Sequence, residues 1–504
     1  MKHKTVSESV GKPVSGAFRF SLTGLLTLSL TAFLHAANVP LQTSRSLFVA
    51  TNGNNATAEA ESLSQPFADP RAAKAVAAAG DTIYVFAGTY RTNNLLKNGV
   101  NWHFYPGSRV EYTDTNGTGI GIWDDRGNGA CTSSITGFGT FYLRSASNDT
   151  ANLDLLGTVT ITNPASEVSI QCKRLEGTFQ ELNVQAVVNI KNCRRVFVEA
   201  DEVIDPWPRN TFFFDDGALT QLAASTTGIY WEHGEFHSRV RRVWVSGYAL
   251  YGNEVTVATA IENWWHSGDY LDNELGAGAV GTPTTCLYMV GKTALWKYWV
   301  DVLDARTENA VVWTHFGSGK GYVSALKLGT SHSTGVGLQI SNTGTNELWL
   351  TAQKLSTKGG WIQLASPNAG TCYASVQHYE DAGSATGFQG FNVASGKLIV
   401  DSGTGLSANG TEIVHSGGTA VYRSVRLGNP ARTNSAVNVS TNGLTIEHST
   451  LLTSNTFFTL TTSLNATQSV RLMNVFATST LTNKITNAVV IGSYGPFNSS
   501  SAVQ

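Results

Sequence analysis

The sequence predicts an all-β parallel solenoid, on three observations. An eight-residue phrase recurs along most of the chain at intervals near 25 residues. Inside each phrase apolar residues alternate with polar ones at the period of a β-strand, so each strand buries one face. Charge is sparse, at 14% of 504 residues, against roughly 25% in an average soluble chain, and Ser, Thr, Asn and 50 glycines stand in its place. A unit of this size is too small to bury its own apolar side, so stacking the units is what makes a continuous core.

The elements follow in chain order. Lys2, Lys4, Lys12 and Arg19 precede an uncharged run from Phe20 to Phe33, and Leu34-His35-Ala36-Ala37 then supplies small residues. This pattern predicts a secretory signal peptide over 1–37 and an extracellular or cell-surface location. The solenoid is expected over 38–490, with a C-terminal tail over 491–504. Near its start, 69–80 reads as a short capping helix, with Asp69 ahead of Pro70, an Ala-rich centre and Gly80 at the end.

The phrase itself reads apolar-x-apolar-x-small or apolar-x-x-apolar. It appears as Val168-Ile170-Cys172-Leu175, Val196-Val198-Ala200-Val203, Phe236-Ser238-Val240-Val243 and Val257-Thr259-Ile261-Trp264. Tyr298-Val300-Val302-Ala305, Gly321-Val323-Ala325-Leu328, Leu348-Leu350-Ala352-Leu355 and Cys372-Ala374-Val376-Tyr379 continue it. Leu398-Val400-Ser402-Gly405, Ala420-Tyr422-Ser424-Leu427, Leu444-Ile446-His448-Leu451 and Val470-Leu472-Asn474-Ala477 close it. Successive starts lie 21 to 28 residues apart, except for intervals of 40 and 41 ending at Phe236 and Tyr298. Each of those holds an extra coil or a large loop. His448 and Asn474 fall at inward positions, where polar side chains bond up and down the stack. Asn128-Gly129, Asn409-Gly410 and Asn442-Gly443 mark corners, because Asn and Gly accept left-handed backbone angles.

Composition also excludes functions. With 34 basic and 36 acidic residues there is no net electrostatic drive toward nucleic acid. Sparse charge and 10% aromatics argue against disorder. Three methionines and long polar stretches argue against a polytopic membrane protein. The five cysteines, Cys131, Cys172, Cys193, Cys286 and Cys372, are odd in number and widely spaced. They make no disulfide framework or metal cluster and read as small buried hydrophobes.

From Leu47 to Arg109 the order of elements is familiar. Phe48 to Asn55 is followed by Ser64-Gln65-Pro66-Phe67 and the Ala-rich helix, then by Gly80 to Val85, Gly88-Thr89-Tyr90 and Pro106-Gly107-Ser108. This resembles the opening of right-handed parallel β-helix proteins of the pectin-lyase-like superfamily. Asn94 to Asn101, Trp123 to Gly127, Leu444 to Leu451 and the tail after Ala488 look similar to β-helix proteins of bacteriophage tails and fibres. The fibre resemblance implies a homotrimer. A signal peptide departs from that pattern, since virion proteins assemble in the cytoplasm.

The resemblance also implies where chemistry belongs. Hydrolases of the superfamily work with two carboxylates across the scissile bond. The related polygalacturonases place Asn-x-Asp, Asp-Asp, Gly-His-Gly and Arg-x-Lys in that chain order. Here Asp215-Asp216 precede Glu232-His233-Gly234-Glu235 and Arg239, which makes Asp215, Asp216, Glu232, His233 and Arg239 the catalytic candidates. The Asn-x-Asp and Arg-x-Lys elements are missing, and a glutamate replaces the glycine before His233. Lyases need an Arg or Lys base, from among Arg239, Arg241, Arg242, Lys297 and Arg306, with a cation to stabilise the anion formed. The acidic residues nearest to a Ca²⁺ set, Glu262, Asp269, Asp272 and Glu274, are irregularly spaced for one. No metal site or cofactor is called for.

Ten of the twelve tryptophans lie between Trp207 and Trp361. Trp264 falls at a core position. Trp265, Trp299 and Trp349 fall between inward positions, so alternation turns them outward, where flat rings suit contact with sugar faces. The leading expectation is a secreted or surface β-helix that binds a polysaccharide or cell-surface glycan without catalysis. The alternatives are a polysaccharide lyase or glycoside hydrolase acting in the same region, and a phage-derived tail-fibre protein.

Overall fold

Alternation decides the architecture in the computed structural model of the chain. It describes residues 44–503 except 116–118, 146–156, 179–184, 206–225, 246, 255–261, 274–284, 309, 343, 369, 384–386, 408–409, 430–436, 442, 454–457, 461–469, 478–487 and 494–501. Through the middle of the chain each coil gives one long strand, such as the 12-residue Gly234–Val245, and one short strand, such as Tyr248–Asn253. Strands of the same kind pair in parallel from coil to coil. One ladder runs from Ser46–Val49 to Ala502–Val503 and the other from Trp123–Asp124 to Phe458–Leu460.

Each long strand covers two sides of the tube. Glu167–Thr178 pairs with Thr132–Gly137 along its first half and with Thr140–Ser145 along its second. At the far end Thr419–Asn429 divides in the same way between Leu444–Glu447 and Thr450–Thr453. The short strands close the third side. The result is an all-β parallel β-helix.

Register corrects one phrase and settles the long intervals. Val196 pairs with Phe236, Phe236 with Trp264, and Trp264 with Tyr298. The coil after Phe236 therefore starts at Trp264 and reads Trp264-His266-Gly268-Leu271. Val257, Thr259 and Ile261 are not its rung and lie outside the described residues. Neither long interval holds an extra coil, since the rungs on either side pair directly.

The interior is narrow and apolar. Trp231, Trp264, Trp296, Trp313 and Trp361 are fully buried, and Trp231 stacks on Trp296 with centroids 5.4 Å apart. All five cysteines are buried and unpaired, as expected of small hydrophobes. Polar groups inside are tied into the packing. The Trp264 indole N–H donates to Ser238 Oγ at 3.0 Å, and that hydroxyl lies 2.9 Å from His266 Nδ1. Buried acids act as clamps between coils. Asp125 accepts from the Thr162 and Asn163 amides and from the Thr162 and Ser166 hydroxyls, all at 2.9 to 3.0 Å. Glu254 accepts in the same way from the Lys292 and Thr293 amides at 2.7 and 2.8 Å. A carboxylate so placed satisfies several buried donors at once.

His448 and Asn474 overturn their expected inward placement. Both are exposed corner residues at positive φ, 48° and 52°. The left-handed turn flips the alternation, so the following residue, Ser449 or Val475, goes inside. The inward polar role falls to Ser449, whose Oγ accepts the Val425 amide at 3.2 Å. His448 and Asn474 still touch along the outside, with Nδ1 and Nδ2 3.3 Å apart.

The helix forms over Pro70–Val76, shorter than the expected 69–80. Asp69 caps it by accepting the Arg71 amide at 2.8 Å, the usual reason for an acid at this position. Pro70 and Ala73 are its buried side. Among the described residues, no helix is long and apolar enough to cross a membrane.

Candidate functional site

Stacking the long strands turns each outward position into a column of side chains. One column reads Phe197, His237, Trp265, Trp299, Tyr322, Trp349 and Tyr373 on successive coils. The seven rings stack face to face. Centroid spacings run 4.5, 4.4, 4.9, 5.4, 4.4 and 5.3 Å, and no pair departs from parallel by more than 13°. The strand repeat of about 4.8 Å is close to the contact distance of flat rings, so parallel pairing makes the ladder at little cost.

The three expected tryptophans do point outward and are half-buried. Their faces, however, are covered by their neighbours in the ladder: Trp265 lies between His237 and Trp299, Trp299 between Trp265 and Tyr322, and Trp349 between Tyr322 and Tyr373. They present edges.

Two residues further along the strands runs a polar column: Gln171, Glu199, Arg239, Ser267 and Asp301. Beyond it, at the corner of the tube, stand Asp201, Arg241, Asp269 and Leu303. Together these columns line two adjoining hollows of about 590 and 520 Å³, which share Gln171, Glu199, Arg239, Ser267 and Asp301. The hollows merge into one trough along the coil-to-coil direction. Phe197, His237, Trp265 and Trp299 wall one side, and Phe138, Arg241, Asp269 and Leu303 the other. Arg241 lies 3.8 Å from Asp201. Among the described residues Arg239, Glu199, Asp269 and Asp301 have no ion-pair or hydrogen-bond partner.

Among the described residues, the catalytic candidates Glu232, His233 and Arg239 do not converge on one hollow. Asp215 and Asp216 lie outside the described residues. Glu232 sits at the end of a short strand, 3.3 Å from Lys191 and bonded to the Tyr230 hydroxyl. His233 is turned into the tube, where its Nδ1 lies 3.2 Å from Glu262 and burial lowers its pKa. Arg239 is six residues along an extended strand, about 20 Å away. Of the three described candidates, Arg239 alone lines the trough.

The acidic residues considered for Ca²⁺ also separate. Glu262 is buried beside Glu254, and burial together with that neighbour pushes its pKa up to about 8. Asp269 faces the trough, and Asp272 is buried 3.9 Å from both Arg242 and Arg306. Glu274 lies outside the described residues.

Sequence reasoning missed Glu199 and Asp301, and four of the seven rings, Phe197, His237, Tyr322 and Tyr373. Writing the corrected phrases one above another puts all of them in two columns, and that alignment was the available signal. Set against protein-family models, curated proteins and solved structures, the chain has no match in any of the three.

Proposed function

We propose that this chain is a secreted or surface-exposed right-handed parallel β-helix protein that binds polysaccharide without catalysis, along the trough. The order of elements from Leu47 to Arg109 supports kinship with the pectin-lyase-like β-helices, and Asn94 to Asn101, Trp123 to Gly127 and Leu444 to Leu451 support kinship with those of phage tails and fibres. One observation carries the functional reading: an open trough follows the solenoid axis, with aromatic edges on one wall and unpaired polar groups on its floor. A sugar chain lying in it meets a new set of donors and acceptors every 4.8 Å or so, about the length of one pyranose. Arg239 then bonds hydroxyls or ring oxygens, while aromatic edges pack against C–H groups.

A glycan panel titrated against the whole chain tests this. Binding that falls at least about tenfold in Arg239→Ala, roughly 1.4 kcal/mol, places the ligand in the trough. An unchanged affinity removes it from there.

One feature favours a hydrolytic reading enough to test it beside the first. Asp201 and Asp269 stand two coils apart across Arg241, about 10 Å between backbones, near the carboxylate separation of inverting glycosidases. Release of reducing ends by the native chain, lost in Asp269→Asn, would establish catalysis.

A further inference from the structure

The ladder has one open end, and it lies in the trough. Phe197 is the first ring, stacked on His237 on one side at 4.5 Å. On the other side its ladder neighbour is Ser169, followed by Ser134. Neither side chain is long enough to cover a ring, and Phe197 remains 41% exposed. Beside this bare face, two residues along each strand, stand Gln171 and Glu199. A six-membered ring laid over Ser169 would continue the ladder by one step, with an amide and a free carboxylate at its edge.

The charge around that seat has a definite sign. Among the described residues the unpaired side chains of the trough are Glu199, Asp269 and Asp301 against Arg239, and Asp201 and Arg241 offset one another. Such a trough repels a polyanion over a screening length of about 10 Å and attracts a cation. Charge-assisted hydrogen bonds to a carboxylate are about twice as strong as neutral ones.

On the glycan-binding reading above, we propose that the ligand is a polysaccharide carrying free amino groups, with one sugar stacked on Phe197 and its ammonium bonded to Glu199. The seat for stacking is thus Phe197, backed by His237 and, behind that, Trp265.

Titration calorimetry of the whole chain with size-matched glucosamine oligomers, their N-acetylated forms, cello-oligosaccharides and oligogalacturonates tests the proposal. Glucosamine oligomers are expected to bind at least about tenfold more tightly than the acetylated series, with the difference shrinking as salt is added. Glu199→Gln should abolish that preference. Phe197→Ala should weaken both series about tenfold, and Phe197→Tyr should restore them. Preference for acetylated, neutral or uronate oligomers, or a preference surviving in Glu199→Gln, overturns the amino-sugar assignment and leaves glycan binding standing. Binding by none of the four series defeats the glycan-binding reading as well.

Discussion

The coils over 167–381 and those after residue 397 share one inward spacing and turn their corners differently. Leu348, Leu350 and Leu355 face inward in one coil, and Leu398, Val400 and Gly405 repeat the spacing two coils on. In the earlier coil the third inward position, Ala352, is buried, and the corner is made without a positive φ. In the later coils that position is Ser402, Ser424, His448 or Asn474, exposed, at φ from 48° to 65°. The outer aromatic column stops at the same boundary, where Tyr373 is followed by Ile399, Val421, Thr445 and Arg471. The lesson is that the corner, rather than the core, decides what the outside can hold. Corners kept in the extended region leave consecutive outward residues such as Arg241 and Arg242, and the trough occupies that shoulder. Left-handed corners send the very next residue back inside.

The largest expected break is inside the earlier region. Trp264 and Ala420 lie in the same inward column, and Trp264→Ala should cost about 3–5 kcal/mol. Because coils contact only their neighbours, the loss should appear in hydrogen exchange at Gly234–Val245 and Lys297–Thr307, and not beyond residue 397.

Acid should act next, within the earlier region. Burial lowers the pKa of His266 and His315 to about 3, against about 6.5 in an unfolded chain. Folded imidazoles bind fewer protons than unfolded ones in that window. Their contribution is therefore complete above about pH 6.5 and is lost as pH falls toward 3. His266→Leu should flatten the fall in the denaturation midpoint between about pH 7 and pH 4.

The smallest effect sharpens the corner difference directly. Ser424→Gly relieves a left-handed residue and should stabilise by up to about 1 kcal/mol. Gln353→Gly, at a corner that needs no positive φ, should destabilise by roughly 0.5–1 kcal/mol. Paired denaturation curves would show opposite signs, and equal signs would dissolve the distinction.

Most of the ladder was legible in the sequence because apolar alternation is enforced wherever one face is buried. It slipped at Val257 because the true rung puts His266 and Gly268 in inward positions, which no apolar pattern selects. It misplaced His448 and Asn474 because alternation assumes extended backbone throughout, and one left-handed residue inverts it. The outward direction of Trp265, Trp299 and Trp349 could be read, but not what covers them, since that depends on neighbours some 25 residues away. Glu232 and His233 were candidates because, between Asp215-Asp216 and Arg239, they follow the chain order of the polygalacturonase motifs. Extended chain carries neighbours in sequence far apart, while Glu199 and Ser267 become the neighbours in space.

The ring ladder has an optical consequence. Trp265 and Trp299 are parallel to within 3° at 4.9 Å, close enough for their electronic transitions to mix. Such a pair couples its excited states, which an isolated indole cannot do. The protein therefore carries a native reporter along the wall of its own trough, one that would respond to a ligand, a missing rung or a change of register without any added label.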